Sequence, residues 1–385
     1  MLSRICGQTG KHLGRVDSVS YFEEIYRGRR VLVTGHTGFK GSWLALWLLH
    51  LGADVAGYSL DVPSSPSNFD LLGLEGRVRH YQGDIRDRTR MAEVLDEFRP
   101  EIVFHLAAQA LVRRSYADPA TTFETNTMGM VNLLECVRTR SWIEVAVLIT
   151  SDKVYRNDEW CWGYRETDAL GGHDPYSGSK GCAELVAHSY FHSFLRHGPT
   201  RVATTRAGNV IGGGDWASDR IVPDCVRAWS QGAVVAIRSP QATRPWQHVL
   251  EPLSGYLWLG ARLWQRGDGL SGEAFNFGPD AHANQTVSEL MVAMAGRWPG
   301  VSWQVPDGHE QVGHEATLLK LSCDKVMFYL KWRAILQFSE TVDFTVDWYR
   351  TWHDGSQNLF GYATGQVEHY CRLAMERGAP WLEPP

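Results

Sequence analysis

Between residues 30 and 205 short, mostly apolar runs alternate with segments of helical period. The runs fall at 31–34, 55–60, 78–82, 102–108, 145–149 and 201–205. The unbroken apolar run at 145–149 predicts a strand buried on both faces, as in a sheet covered by helices on each side. The helical segments between them span 42–51, a stretch ending at 98, 118–138 and 176–195. Strands and helices in regular alternation predict an α/β chain with a doubly wound parallel sheet. After residue 205 the rhythm breaks. Shorter pieces at 221–231, 234–237, 251–265, 273–277, 287–297 and 338–352 predict a smaller mixed α/β lobe, with some segments returning to the large sheet. Residues 1–28 show no period and are expected to be a loosely attached extension. The expected division is therefore 1–28, 29–208 and 209–385.

Composition narrows this picture mainly by exclusion. A net charge of −5, without acidic or basic blocks, offers no electrostatic footprint for nucleic acid or a membrane surface. No run approaches 18 apolar residues and the first residues lack an apolar leader core, so neither membrane spanning nor export is expected. Seven widely spaced cysteines, never in C-x-x-C, argue against disulfides and structural zinc and fit a reducing cytoplasm. His36, His105 and His248 form no spaced ligand set, and no metal is assigned. Sixteen tryptophans are unusually many, and the sequence alone gives no single reason for them.

Two stretches carry candidate chemistry. The first strand runs into Gly35-His-Thr-Gly38-Phe-Lys-Gly41 and then a helix, which predicts a Rossmann-like dinucleotide-binding opening. Gly35 would allow the tight turn, Gly38 a close backbone approach to pyrophosphate, and Gly41 helix-on-strand packing. The helix N-terminus would offer unpaired N–H groups to phosphate. Asp61, 20 residues beyond Gly41, stands either where an acid meets the adenosine ribose or as a turn residue before Pro63. Asp84 is either a cap for the helix to residue 98 or a contact to adenine.

The second stretch is Thr150-Ser-Asp-Lys153, followed by Tyr176-Ser-Gly-Ser-Lys180. Ser151, Asp152 and Lys153 would sit at the carboxyl end of the 145–149 strand, where open α/β sheets place ligands. The four-residue spacing puts Tyr176 and Lys180 one helical turn apart on one face. A cation beside the phenol would favour the phenolate and make a base near neutrality. With 14 tyrosines and 7 lysines, one Y-x-x-x-K is expected by chance in roughly one such chain in four, so spacing alone is weak. Lysine usage sharpens it: against 31 arginines, Lys40, Lys153 and Lys180 all fall in these two stretches. Lysine can release a proton at ordinary pH and arginine cannot.

Taken together, these motifs resemble the extended short-chain dehydrogenase/reductases that act on nucleotide sugars. The resemblance covers roughly residues 29–355. It rests on Gly-His-Thr-Gly-Phe-Lys-Gly-Ser-Trp-Leu at 35–44, His-Leu-Ala-Ala-Gln at 105–109, Thr-Ser-Asp-Lys at 150–153 and Trp-Gly-Tyr-Arg-Glu at 162–166. It continues in Asp-Pro-Tyr-Ser at 174–177, Lys-Gly-Cys-Ala-Glu-Leu at 180–185, Arg-Ala-Gly-Asn-Val-Ile-Gly-Gly-Gly-Asp-Trp at 206–216 and Arg-Pro-Trp-Gln-His-Val at 244–249. Within the family the likeness is to 4,6-dehydratases, in the group that takes CDP-glucose. That implies an NAD-dependent, redox-neutral removal of water: C4 oxidation, elimination across C5 and C6, and return of hydride to C6.

Carried over by position, Tyr176 is the base at the 4-hydroxyl, Lys180 lowers its pKa and holds the nicotinamide ribose, and Ser151 hydrogen-bonds the same hydroxyl. Asp152 is the acid at the departing 6-hydroxyl. Lys153 stands where dTDP-glucose dehydratases carry glutamate, which leaves the C5 base open. Gly35, Thr37, Gly38, Phe39, Lys40, Gly41, Asp61, Asp84, Ile85 and Ala107 are the implied NAD contacts, with Tyr176 and Lys180. Gln109, Asn209, Arg220, Arg244 and Glu315 are the implied substrate contacts. Arg244 would meet the diphosphate, for which a planar fork of donors is suited. Arg220 is as readily a surface arginine, and Glu315 a loop carboxylate. The helices from Asp118 and Asp174 are candidate faces for a homodimer or homotetramer, and core packing explains their apolar stripes as well. A nucleotide-sugar 4-epimerase is the rival enzyme, needing no acid at C6. The rival without catalysis is an NAD-binding scaffold.

Overall fold

Val, Ile, Leu and Ala fill the strands at the centre of the sheet, and every position of two of them is buried. The computed structural model describes residues 20–237, 239–266, 269–280, 284–305 and 319–383. Its main sheet contains β1 (Arg30–Thr34), β2 (Asp54–Ser59), β3 (Arg79–Gln82), β4 (Ile102–His105), β5 (Val145–Ile149), β6 (Arg201–Arg206) and β7 (Ala274–Asn276). The order is β3-β2-β1-β4-β5-β6-β7, with every neighbour parallel. Strand order reverses between β1 and β4, and a crevice at the carboxyl edge of such a switch point is where this architecture holds ligands.

Helix α1 (Phe39–His50) follows β1, so Lys40 and Gly41 lie in its first turn rather than in a loop before it. Helix α2 (Arg88–Phe98) is capped by Asp87, whose side chain accepts from the Arg90 amide. The expectation that Asp84 caps this helix is therefore wrong; Asp84 accepts from the Arg86 amide and pairs with its guanidinium. Residues 119–137 are helical with a π turn at Glu124–Met128. Helix α3 (Pro175–Tyr190) starts at Asp174, which accepts from the Ser177 amide at 3.0 Å, with Pro175 in the first turn where its missing N–H costs nothing.

The second half of the chain supplies much of the cover for the sheet. Helix α4 (Leu250–Trp264) packs on β5 and β6, and α5 (Phe338–His353) and α6 (Leu359–Glu376) continue that layer, α6 against α1. One apolar cluster includes Val31, Trp43, Val147, Leu257, Trp348 and Tyr370. The opposite face buries Leu32, Val103, Leu134, Leu148 and Ala183 under α2, α3 and the 119–137 helix. Residue 209 thus marks no break in the core.

Two further differences from the sequence reading stand out. Residues 20–28 are integral: Ser20–Tyr21 pairs antiparallel with Leu382–Glu383, Phe22 stacks on Trp381 at 4.9 Å, and the buried Tyr26 hydroxyl donates to the Leu257 carbonyl at 2.6 Å. The segment is too short to show a period, and its aromatic side chains are paired with residues over two hundred positions away. Helix α6 was not expected, because glycines and aromatics interrupt its pattern; packing against α1 and α5 supplies the stabilisation that propensity does not.

Candidate active site at the carboxyl edge of the sheet

The glycine loop meets the loop after β4 at the switch point. Gly35 has φ of +74°, and a Cβ there would lie 2.7 Å from the Ala107 amide nitrogen; one on Gly41 would lie 2.1 Å from the Gly35 carbonyl oxygen. Only hydrogen fits at these two positions, so the backbone is drawn into a tight cradle. Gly38, the first residue before α1, makes no side-chain cap, and the first turn carries no acid. Its unpaired N–H groups, with Lys40 beside them, form an electropositive helix end suited to phosphate. These features fit a dinucleotide. Thr37 is partly committed, its hydroxyl donating to the Asp61 carbonyl at 2.6 Å, while the Asp61 side chain is exposed just beyond β2. Ile85 turns its side chain into the core against Gly129. His36, read only as a non-ligand, lies 2.7 Å from His80 and 2.8 Å from Ser59, and burial lowers its pKa to about 3.

At the other end of the crevice β5 stops at Ile149, and residues Asp152–Val154 form a single 3-10 turn. Adjacent strand residues would point to opposite faces; ending the strand lets Asp152 and Lys153 share one region. The Ser151 hydroxyl donates to Asp152 at 3.0 Å and accepts the Lys153 amide at 3.3 Å. Ser151, Asp152, Tyr176 and Lys180 are all buried, and Asp152 packs directly against the Gly208 backbone. Tyr176 is anchored by its amide, which donates to the Ser115 hydroxyl.

The electrostatics differ from the sequence expectation. Burial pushes the Tyr176 phenol up to about 12; the Ser151 hydroxyl opposes this, and the cation that lowers it is Arg220 rather than Lys180. Burial lowers Lys180 to about 8, and Lys40 pushes the same way. Lys40 is itself lowered to about 8, by burial and by Arg220. The phenol thus keeps its proton near neutral pH, and two lysines lowered to about 8, still mostly charged there, share its surroundings. Arg220 is held at 2.9 Å by Asp215, a residue the sequence reading passed over, and its guanidinium acts on Tyr176, so it belongs to the site despite partial exposure.

Below these residues lies a network that sequence reasoning missed. Glu184, one turn along α3 from Lys180, receives both arms of Arg206 at 2.9 and 3.0 Å and the hydroxyls of Thr150 and Thr204. Arg206 also donates to the Tyr155 hydroxyl, which in turn donates to Asn276. Glu184 and Arg206 lie within quoted motifs, but nothing in their spacing reveals that they pair.

The substrate-side candidates divide. Asp152, Gly208, Pro245, Gln247, Asp280 and Lys320 line a cleft next to the turn. Asn209 adjoins it in a left-handed conformation with φ of +48°. Arg244 lies in a two-residue strand, Thr243–Arg244, paired with Gln285–Thr286. Gln109 does not remain free: its amide donates to the Leu111 carbonyl and Thr122 and accepts the Leu111 amide, so it shapes the loop after β4. Glu315 lies outside the described residues.

Such a sheet and crevice define an extended short-chain dehydrogenase/reductase. Residues 32–262 match the family model described as GDP-mannose 4,6 dehydratase, and the chain belongs to that family. It is 48% identical over 344 residues to a CDP-glucose 4,6-dehydratase of Salmonella typhimurium, covering 88% of this chain and 95% of that protein. A dTDP-glucose 4,6-dehydratase of Xanthomonas campestris is 26% identical over 84% of this chain and 95% of its own. Among solved structures, a Streptomyces venezuelae dTDP-glucose 4,6-dehydratase with NAD and TYD bound matches at a TM-score of 0.68 and 26% identity, over 86% of this chain and 99% of that one.

Proposed function

We propose that the chain is an NAD-dependent CDP-glucose 4,6-dehydratase, converting CDP-glucose to CDP-4-keto-6-deoxyglucose and water. The observation that carries the reading is the joining of Ser151, Asp152, Lys153, Tyr176 and Lys180 at one sheet edge, in a chain nearly half identical to a CDP-glucose 4,6-dehydratase along almost its whole length. NAD, when bound, supplies the two-electron acceptor and later donor. Gly35, Gly38, Gly41 and the start of α1 hold its pyrophosphate, with Asp61 at the adenosine end.

Ser151 and Tyr176 grip the 4-hydroxyl; Tyr176 must first release its own proton to solvent, and its phenolate then takes the 4-hydroxyl proton as C4 becomes a ketone. Both groups are buried and already within each other's reach, so little reorganisation is needed. Arg220 is the cation that favours the phenolate beforehand, and Lys180, one helical turn away, adds its positive charge to the same region. Once C4 is a carbonyl the C5 proton is acidic enough for a side-chain base, whereas hydroxide leaves C6 only with an acid. Asp152 is that acid, and Lys153, on the same turn, is the C5 base. Arg244 and Arg220 bind the diphosphate. The residues 29–208 mainly hold cofactor and 209–385 mainly substrate. Exposed Phe123, Met128, Leu185 and Phe194 on the helices from Asp118 and Asp174 support a homodimer or homotetramer. The widely spaced cysteines support a cytoplasmic enzyme; no helix among the described residues is long and apolar enough to cross a membrane.

The deciding experiment supplies CDP-, dTDP- and GDP-glucose in parallel and identifies the products. A 4-keto-6-deoxy sugar made preferentially from CDP-glucose, with no net NAD consumption, is expected. Preference for another nucleotide, or a 4-epimer as product, overturns the reading.

A further inference from the structure

Gln247 lines the cleft beside Asp152 but does not belong to any role assigned so far. It begins the two-residue strand Gln247–His248, paired in parallel with Val210–Ile211, and its amide donates to the Asn209 carbonyl. Its side chain is 2% exposed. The side-chain nitrogen donates to the Gly208 carbonyl at 3.0 Å and to the Phe277 carbonyl at 3.2 Å. Those two bonds use both of its N–H groups and fix which way the amide faces, because an oxygen turned toward two carbonyls would find no donor. The oxygen, Oε1, is buried and has no partner. An unmet buried acceptor is costly unless a donor reaches it, and this one belongs to a residue that lines the cleft beside Asp152.

Gly208 joins Gln247 to the catalytic turn. Its carbonyl takes the Gln247 side chain while its Cα packs on the Asp152 carboxylate. The free oxygen is therefore held, through one residue, in register with the acid. From this geometry we infer that Gln247 is a substrate-positioning residue: Oε1 accepts a hydrogen bond from one hydroxyl of the hexose and so sets the ring against Asp152. The inference rests on reading the cleft as the hexose site.

The test is binding, read by calorimetry on the NAD-loaded enzyme, of CDP-glucose and its 2-, 3-, 4- and 6-deoxy analogues to wild type and Gln247→Met. The variant is expected to bind CDP-glucose about tenfold more weakly, in line with one neutral hydrogen bond to a buried acceptor. For one deoxy analogue that penalty should shrink to less than about twofold, which identifies the hydroxyl. An equal penalty for all five ligands means a packing role and overturns the inference. If CDP-glucose does not bind wild type at all, the reading of the cleft falls instead. Should Gln247→Met not fold, a crystal structure of Tyr176→Phe with CDP-glucose decides: Oε1 within about 3.2 Å of a sugar hydroxyl is expected, and Oε1 left without a sugar contact overturns it.

Discussion

One helical turn on α3 separates two buried charges with opposite fates. Glu184 is saturated: burial alone would push its carboxyl up, but a two-armed Arg206 and two threonine hydroxyls hold it below the usual range. Lys180 is not saturated; the strongest charge acting on it is another cation, Lys40. The saturated pair fixes β5, β6 and α3 relative to one another, and the strained group above it faces the crevice. Buried charge that is fully paired makes a rigid base on which a poorly matched charge can be held ready for chemistry.

The contrast makes opposite predictions for the two layers. Arg206→Met leaves Glu184 buried without its cation and should cost about 3–5 kcal/mol of stability. Urea unfolding measures this, and a loss under about 1 kcal/mol would mean the pair holds little. Tyr176→Phe should do the reverse, with turnover reduced at least about 10²-fold and an almost unchanged midpoint, since the ring stays packed. Near-normal turnover in that variant removes the proposed mechanism.

Finer separation comes from the turn itself. Lys153→Met should suppress solvent deuterium exchange at C5 by about 10²-fold, whereas Asp152→Asn should retain exchange and block loss of water. Normal exchange in Lys153→Met moves the base elsewhere and leaves the lysine supporting the developing enolate. The smallest effect concerns pH. Lys180 is charged below about 8 and neutral above it, so turnover should fall on the alkaline side near that value. Lys40→Met removes the cation that depresses Lys180, and the alkaline limb should move to higher pH. A shift to lower pH, measured as kcat/KM against pH, contradicts the proposed coupling.

The readable parts of the site were those whose meaning is local. Gly35 and Gly41 announce a turn and a close approach, and Tyr176 and Lys180 sit one turn apart because any helix puts them there. Strand 145–149 was legible because an unbroken apolar run has few other uses. What escaped depends on meetings across the fold. Arg206 and Glu184 pair across 22 residues, and Tyr155 reaches Asn276 across 121. Gln109 looked available for substrate because sequence does not show that its loop consumes it. Tryptophan usage also becomes clearer in three dimensions: Trp43, Trp47, Trp332, Trp348 and Trp381 are fully buried in the layer that covers one face of the sheet, where large side chains fill wide gaps between helices.

The antiparallel contact between Ser20–Tyr21 and Leu382–Glu383 bears on how the molecule is made. Translation delivers β1 to β6 early, but Trp47 and Phe22 cannot be sealed until Trp381 has left the ribosome. Until then those apolar side chains lack part of their final cover, the condition in which unfinished chains associate with one another or engage chaperones.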